Sequence, residues 1–119
     1  MQNMVKIVRK PWGVEKVFTF NEISTVKLTS VKPNSVLSLQ KHKKRSEMWY
    51  FLTPGWVQLG KKKKKVRKGE IIKIEKGQVH RLFSKDKPVQ FLEVSFGKFD
   101  WDDIVRLEDS YGRKGRKGK

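Results

Sequence analysis

Gln40-Lys41-His42-Lys43-Lys44-Arg45-Ser46-Glu47-Met48-Trp49 is the stretch on which the reading of this chain turns. On a strand, side chains two apart share a face, so Gln40 and His42 can aim at one point. Glu47 has the wrong parity to join them on a continuous strand. The polar Lys43-Lys44-Arg45-Ser46 stretch reads as a turn, which resets the parity and returns Glu47 on the neighbouring strand. Trp49 and Phe51 share the parity of Glu47 and are expected to face the interior with it. The chain has only two histidines. The second, His80, follows Gly77-Gln78-Val79 and opens another strand behind a glycine turn. A lone histidine in a β-protein is more often packed or exposed than a ligand, but these two stand in surroundings that favour a shared role.

Working outward, short β-type runs recur along the chain, separated by Gly, Pro, Asn or charge clusters. They read as Val14–Phe20, Thr25–Val31, Val36–Lys41, Glu47–Leu52, Trp56–Leu59, Lys62–Val66, Ile71–Ile74, His80–Phe83 and Val89–Phe96. Many short strands with a turn every several residues predict an all-β protein, an antiparallel sandwich or barrel. One short helix is expected around Asp102–Leu107, with Asp100 as its N-cap. The 119 residues suffice for one domain with a modest core. That domain is expected over residues 1–111, followed by the basic tail Gly112–Lys119, which has no apolar residue to bury and is expected to be disordered.

No cysteine is present, so disulfides and thiolate metal sites are excluded. The N-terminal residues lack an apolar core of signal-peptide length and no stretch approaches a membrane span. The expectation is a cytoplasmic protein without membrane contact. The formal net charge of +17, from 29 Lys+Arg against 12 Asp+Glu, favours anionic partners. Lys61–Lys65 is placed on the exposed strand of a hairpin, where lysines also discourage edge-to-edge aggregation. Nucleic acid is expected to bind only non-specifically through this basic surface. The aromatic residues are not interleaved with the basic runs, as stacking platforms for single strands require.

Gln40-x-His42 with Glu47 and Gly55 resembles the first motif of the cupins, with Gln in the leading histidine slot. Gly69 through Glu75-Lys76-Gly77-Gln78-Val79-His80 to Ser84 resembles the second, with every spacing kept; Glu75 replaces an expected Pro and Ser84 an expected Asn. The implied fold is the cupin double-stranded β-helix, a jelly-roll barrel. Lys10-Pro11-Trp12-Gly13, Ser38-Leu39-Gln40, Arg45-Ser46-Glu47 and the stretch from Asp103 to Arg113 narrow the resemblance. They look like the cupin half of type II mannose-6-phosphate isomerases, usually fused behind a mannose-1-phosphate guanylyltransferase domain. Lys44 stands where that family usually carries another histidine.

The resemblance implies one divalent metal ion held by Gln40, His42, Glu47 and His80. Oxygen and imidazole ligands suit zinc best, with manganese, iron, nickel or cobalt as alternatives. The implied reaction interconverts mannose 6-phosphate and fructose 6-phosphate through an enediolate. Lys44, Glu93 and a metal-bound hydroxide are candidates for the general base, and Arg45 and Arg81 for holding the substrate phosphate. The alternative is a non-catalytic metal-binding cupin that holds a sugar or other small anionic ligand. Cupins also suggest a homodimer, with Met1–Val8 as an added strand. Trp12 and Tyr111 are expected to pack the terminal segments over the barrel.

Overall fold

Alternating apolar residues on short strands need a second layer to cover them, and the chain supplies it by folding two sheets face to face. The computed structural model describes residues 5–118. In order the strands are β1 (Lys6–Lys10), β2 (Gly13–Val17), β3 (Ser24–Val31), β4 (Leu39–Lys41), β5 (Ser46–Phe51), β6 (Gly55–Leu59), β7 (Lys62–Val66), β8 (Ile71–Ile74), β9 (His80–Phe83), β10 (Val89–Phe96) and β11 (Val105–Glu108). One sheet runs β3-β10-β5-β8, the other β11-β4-β9-β6-β7, and β1-β2 form a separate hairpin. The pairings are antiparallel throughout. The result is the all-β jelly roll that the motifs imply.

The core between the sheets is built on Trp49, Phe51, Val57, Leu82 and Phe91. Trp49 and Phe51 face inward on β5, and both pack on Phe91, with ring centroids 4.9 and 5.4 Å away. Each such ring contributes roughly 1.5–3 kcal/mol by leaving water. Gly55 is the point of closest approach. A Cβ there would lie 2.9 Å from both Phe51 Cε2 and Val89 Cγ1. A smaller cluster of Met48, Val94 and Phe96 lies on the other face of the four-stranded sheet, covered by Val5, Phe18 and Ile71.

The structure corrects the expectations of a helix, of one strand's start and of two aromatic positions. No helix forms at Asp102–Leu107. Asp100 does cap, but it caps a turn: its Oδ1 accepts the Asp102 N–H at 2.9 Å and its carbonyl accepts Asp103 N–H at 3.1 Å. The β-branched Ile104 and Val105 then favour extended backbone, and Val105 and Arg106 pair with Lys41 and Gln40 to make β11. The strand expected at Val36–Lys41 starts at Leu39, with Val36 making a single bridge to Phe83. Trp12 and Tyr111 do not cover the barrel, being 72% and 63% exposed. Of the proposed added strand Met1–Val8, Met1–Met4 lie outside the described residues, and Lys6–Val8 pair within the hairpin with Glu15–Val17. Gly112–Gly118 follows a turn-rich path on which Arg106 donates to the carbonyls of Arg116 and Gly118 at 2.8 and 3.0 Å. Among the described residues no helix is long and apolar enough to cross a membrane.

Candidate metal centre

The turn after β4 carries the chain from one sheet to the other. β4 and β5 are therefore not neighbours within a sheet, as the parity argument assumed. They face each other across the interior. Gln40 instead pairs in register with His80 on β9. His42, just beyond β4, and Glu47, on β5, close the group from the other side. One donor atom from each of His42, Glu47 and His80 lies within 4.8 Å of the others, and all three residues are buried. Gln40 lines the same cavity, which measures about 180 Å³.

Each imidazole is held in one orientation by its outer nitrogen. His42 Nδ1–H donates to the Asp103 carbonyl at 2.6 Å, and His80 Nδ1–H to the Gln78 carbonyl at 2.8 Å. Both Nε2 lone pairs are left for the interior, the outer-shell arrangement that fixes ligand histidines. Asp103 also holds the turn, its carboxylate accepting the Lys43 and Lys44 N–H groups at 2.9 and 3.0 Å. Gly77, at a φ of 77° that disfavours other residues, sends its N–H to the His42 carbonyl at 2.7 Å. The two histidine segments are thereby tied together. Ser84, at the position where the motif led to an expected Asn, braces the loop before β4: its Oγ accepts the Ser35 N–H at 3.0 Å.

Burial lowers the pKa of both His42 and His80, keeping them neutral and able to donate a lone pair. The 3.5 Å approach of His42 Nε2 to Glu47 Oε2 is accordingly not an ion pair. Burial also works to raise the Glu47 pKa, but the charge that His42 and His80 take on at acid pH, with that of Arg45, outweighs it and the carboxyl stays ionised. The donor set is two neutral imidazoles, a carboxylate and a nearby amide, which suits a divalent cation. The buried His80 Nε2 has no hydrogen-bond partner, and a cation is what such an orphaned lone pair lacks. Arg45 meets part of this need. Its Nε donates to Glu47 Oε2 at 2.8 Å, and its Nη2 lies 3.3 Å from His42 Nε2.

Of the other residues singled out by sequence, Glu93 and Arg45 line this cavity. Lys44 and Arg81 do not. Lys44 borders a separate depression with Asp100, Asp102 and Asp103. Arg81 is on the opposite face of β9 from His80, donating to the Leu37 carbonyl at 3.0 Å and to Glu108 at 3.1 Å. Glu93 pairs in register with Trp49 while its neighbour Ser95 pairs with Glu47, so both carboxylates face one space. Burial first, and then the charge of Glu47, push the Glu93 pKa up to about 7, against the pull of Lys27.

Lys27, Trp101 and Arg106 are among the cavity residues that sequence reasoning did not single out. Lys27 Nζ lies 3.2 Å from Glu93 Oε2 and 4.8 Å from the Trp101 ring centroid. The signal for it was the alternation in Thr25–Val31. There the apolar Val26 and Leu28 point outward and the polar Lys27 and Thr29 inward, the reverse of a simple core strand.

The family description "Mannose-6-phosphate isomerase C-terminal" matches residues 1–109. The chain belongs to this mannose-6-phosphate isomerase C-terminal family. It is 36% identical over 109 residues to the xanthan biosynthesis protein XanB of Xanthomonas campestris, covering 89% of this chain and 23% of that protein. It is 35% identical to the mannose-1-phosphate guanylyltransferase ManC of Salmonella typhimurium, over 93% of this chain and 24% of that one. The family member thus spans about a quarter of the length of the curated relatives it matches. Among solved structures, the capsular polysaccharide assembling protein CapF of Staphylococcus aureus superposes with a TM-score of 0.66 at 15% identity, over 88% of this chain and 34% of that one. A cupin protein from Bacteroides fragilis gives 0.57 at 17% identity, over 65% and 70%. These likenesses bear on the fold, which is that of the cupins.

Proposed function

We propose that this domain is a metal-dependent isomerase interconverting mannose 6-phosphate and fructose 6-phosphate. The observation that carries the reading is the buried convergence of His42, Glu47 and His80 beside a carboxyl, Glu93, whose pKa is about 7. Gln40 is the fourth ligand in this reading. A divalent ion, zinc by the donor set, supplies Lewis-acid stabilisation of the charge that develops on the sugar oxygens. Glu93 is the general base. It takes the proton from C2 of the open-chain aldose and returns it to C1, while the hydroxyl proton passes from O2 to O1. A group with pKa near the working pH is suited to both steps. Lys27 holds Glu93 and pairs with its carboxylate before the proton is taken and after it is returned. The cavity is smaller than the roughly 300–1,000 Å³ of pockets that enclose drug-sized ligands, so it takes the reacting end of the sugar and leaves the phosphate at the mouth. A cytoplasmic address fits a phosphorylated substrate.

A second reading has its own observation. The Arg45 guanidinium lines the cavity against Glu47 and His42, so a metal-loaded chain can hold an anionic sugar there without turning it over. Element analysis and a coupled assay of fructose 6-phosphate formation separate the two. The isomerase reading expects about one divalent ion per chain, lost in His80→Ala, with turnover abolished by chelation and by Glu93→Gln. A fully loaded protein with no turnover would leave the binding module.

A further inference from the structure

The side of the five-stranded sheet turned away from the core carries an arrangement that the metal centre does not use. Val57 and Leu82 face the core, so their neighbours in the strands point outward. Trp56 on β6 pairs in register with Phe83 on β9 and with Lys65 on β7, and Gln58 pairs with Lys63 and Arg81. The Trp56 and Phe83 rings are half-buried, 6.0 Å apart and within 19° of parallel. Three lysines reach over them. Lys85 Nζ lies 3.7 Å from the Trp56 centroid, Lys65 Nζ 5.7 Å from it, and Lys63 Nζ 5.9 Å from that of Phe83.

A depression flanks each ring. One of about 360 Å³ runs along Phe83 between Asn34, Gln58, Lys63 and Arg81. The other, of about 280 Å³, runs along Trp56 between Lys65, Lys85 and Lys87, with Asp86 as its acidic member. Folding thus interleaves the aromatic and basic residues that are separate in linear order, because the lysine run becomes the strand beside Trp56. The expectation that the basic surface lacks stacking platforms is corrected on this point.

The geometry points to this outer face as a binding surface for single-stranded nucleic acid, with bases stacking on Trp56 and Phe83 and phosphates meeting Lys63, Lys65 and Lys85. Two π faces within a cationic rim are the elements of sequence-tolerant single-strand binding. The lysines now over the rings are exposed, and their long stems let them move aside to phosphates. A polyanion without bases has use for the lysines and none for two parallel rings. The surface also gives part of the net charge of +17 a purpose that a small buried cavity does not require.

The test is fluorescence anisotropy of the full chain with labelled oligo-dT and oligo-U, between 50 and 200 mM salt. Trp56→Ala or Phe83→Ala should weaken binding about 5- to 150-fold while Trp56→Phe retains most of it, since stacking of each base contributes roughly that range. Replacing Lys63, Lys65 and Lys85 by Ala together should make the slope of log affinity against log salt about 2 shallower, at about 0.7 for each lost contact. Thermal melts of the variants check that they fold, and the basic tail, present in every variant, cannot produce the difference. Unchanged affinity in both aromatic variants would overturn the proposal. So would equal competition by polyphosphate of the same charge, or tighter binding of an acidic polysaccharide, which would assign the face to a glycan.

Discussion

Glu93→Gln should make the protein more stable at pH 8, although it removes an ion pair. The folded structure raises the Glu93 pKa from 4.5 to about 7, so the unfolded chain ionises while the folded one still holds its proton. Stability associated with this group is therefore complete below pH 4.5 and is lost as pH rises through about 7. At 1.36 kcal/mol for each pH unit between the two values, the loss is about 3 kcal/mol. The Lys27 contact at 3.2 Å already opposes it, and losing that partly exposed pair costs at most about 1 kcal/mol. His42 and His80 run the other way. Their pKa values are lowered by burial, so their contribution is lost as pH falls below 6.5. The useful quantity is accordingly the difference between Glu93→Gln and the parent, melted in chelator from pH 5 to 8.5. That difference should grow in favour of the variant with rising pH, reaching a melting-temperature gain on the order of 10 °C. A variant that is less stable than the parent by a constant amount across the range would refute the raised pKa, and with it the case for Glu93 as base.

Two further outcomes follow from placement alone. Lys44 borders a depression apart from the cavity, so Lys44→Ala and Lys44→His should each leave metal content and any turnover within about twofold of the parent, measured by element analysis and the coupled assay. Gly55→Ala should destabilise by about 1–3 kcal/mol in a denaturant titration, because the new Cβ meets Phe51 and Val89 at 2.9 Å in a core with little room to yield.

The residues that converge on the site were legible because each stands at a turn or strand position that chemistry restricts: few arrangements place two histidines, a glutamate and a glutamine at such spacings by chance. Which strand faces which was not. Strand parity gives the face of a side chain but not the sheet that its strand joins, so the passage from β4 into the opposite sheet at Lys43-Lys44 left no mark. Arg81 is different. It follows His80 directly on a strand, so an inward His80 already required an outward Arg81. The helix expected at Asp102–Leu107 failed because an aspartate that caps a turn looks the same in sequence as one that caps a helix. The ring-and-lysine face on β6, β7 and β9 was hidden because its parts meet only across strands.

The hydrogen bond from His42 to the Asp103 carbonyl spans 61 positions of sequence, and β4 gains one of its two neighbours only when β11 arrives. At synthesis rates of about 5–20 residues per second, roughly 3–12 s separate the appearance of His42 from that of the residue that orients it. In the last part of that interval, once His80 has been made, a nascent chain can have both histidines and Glu47 in place without the outer support that aims His42. The centre is thus completed from the C-terminal end, and a chain stopped short of Asp103 would carry His42 without the means to point it.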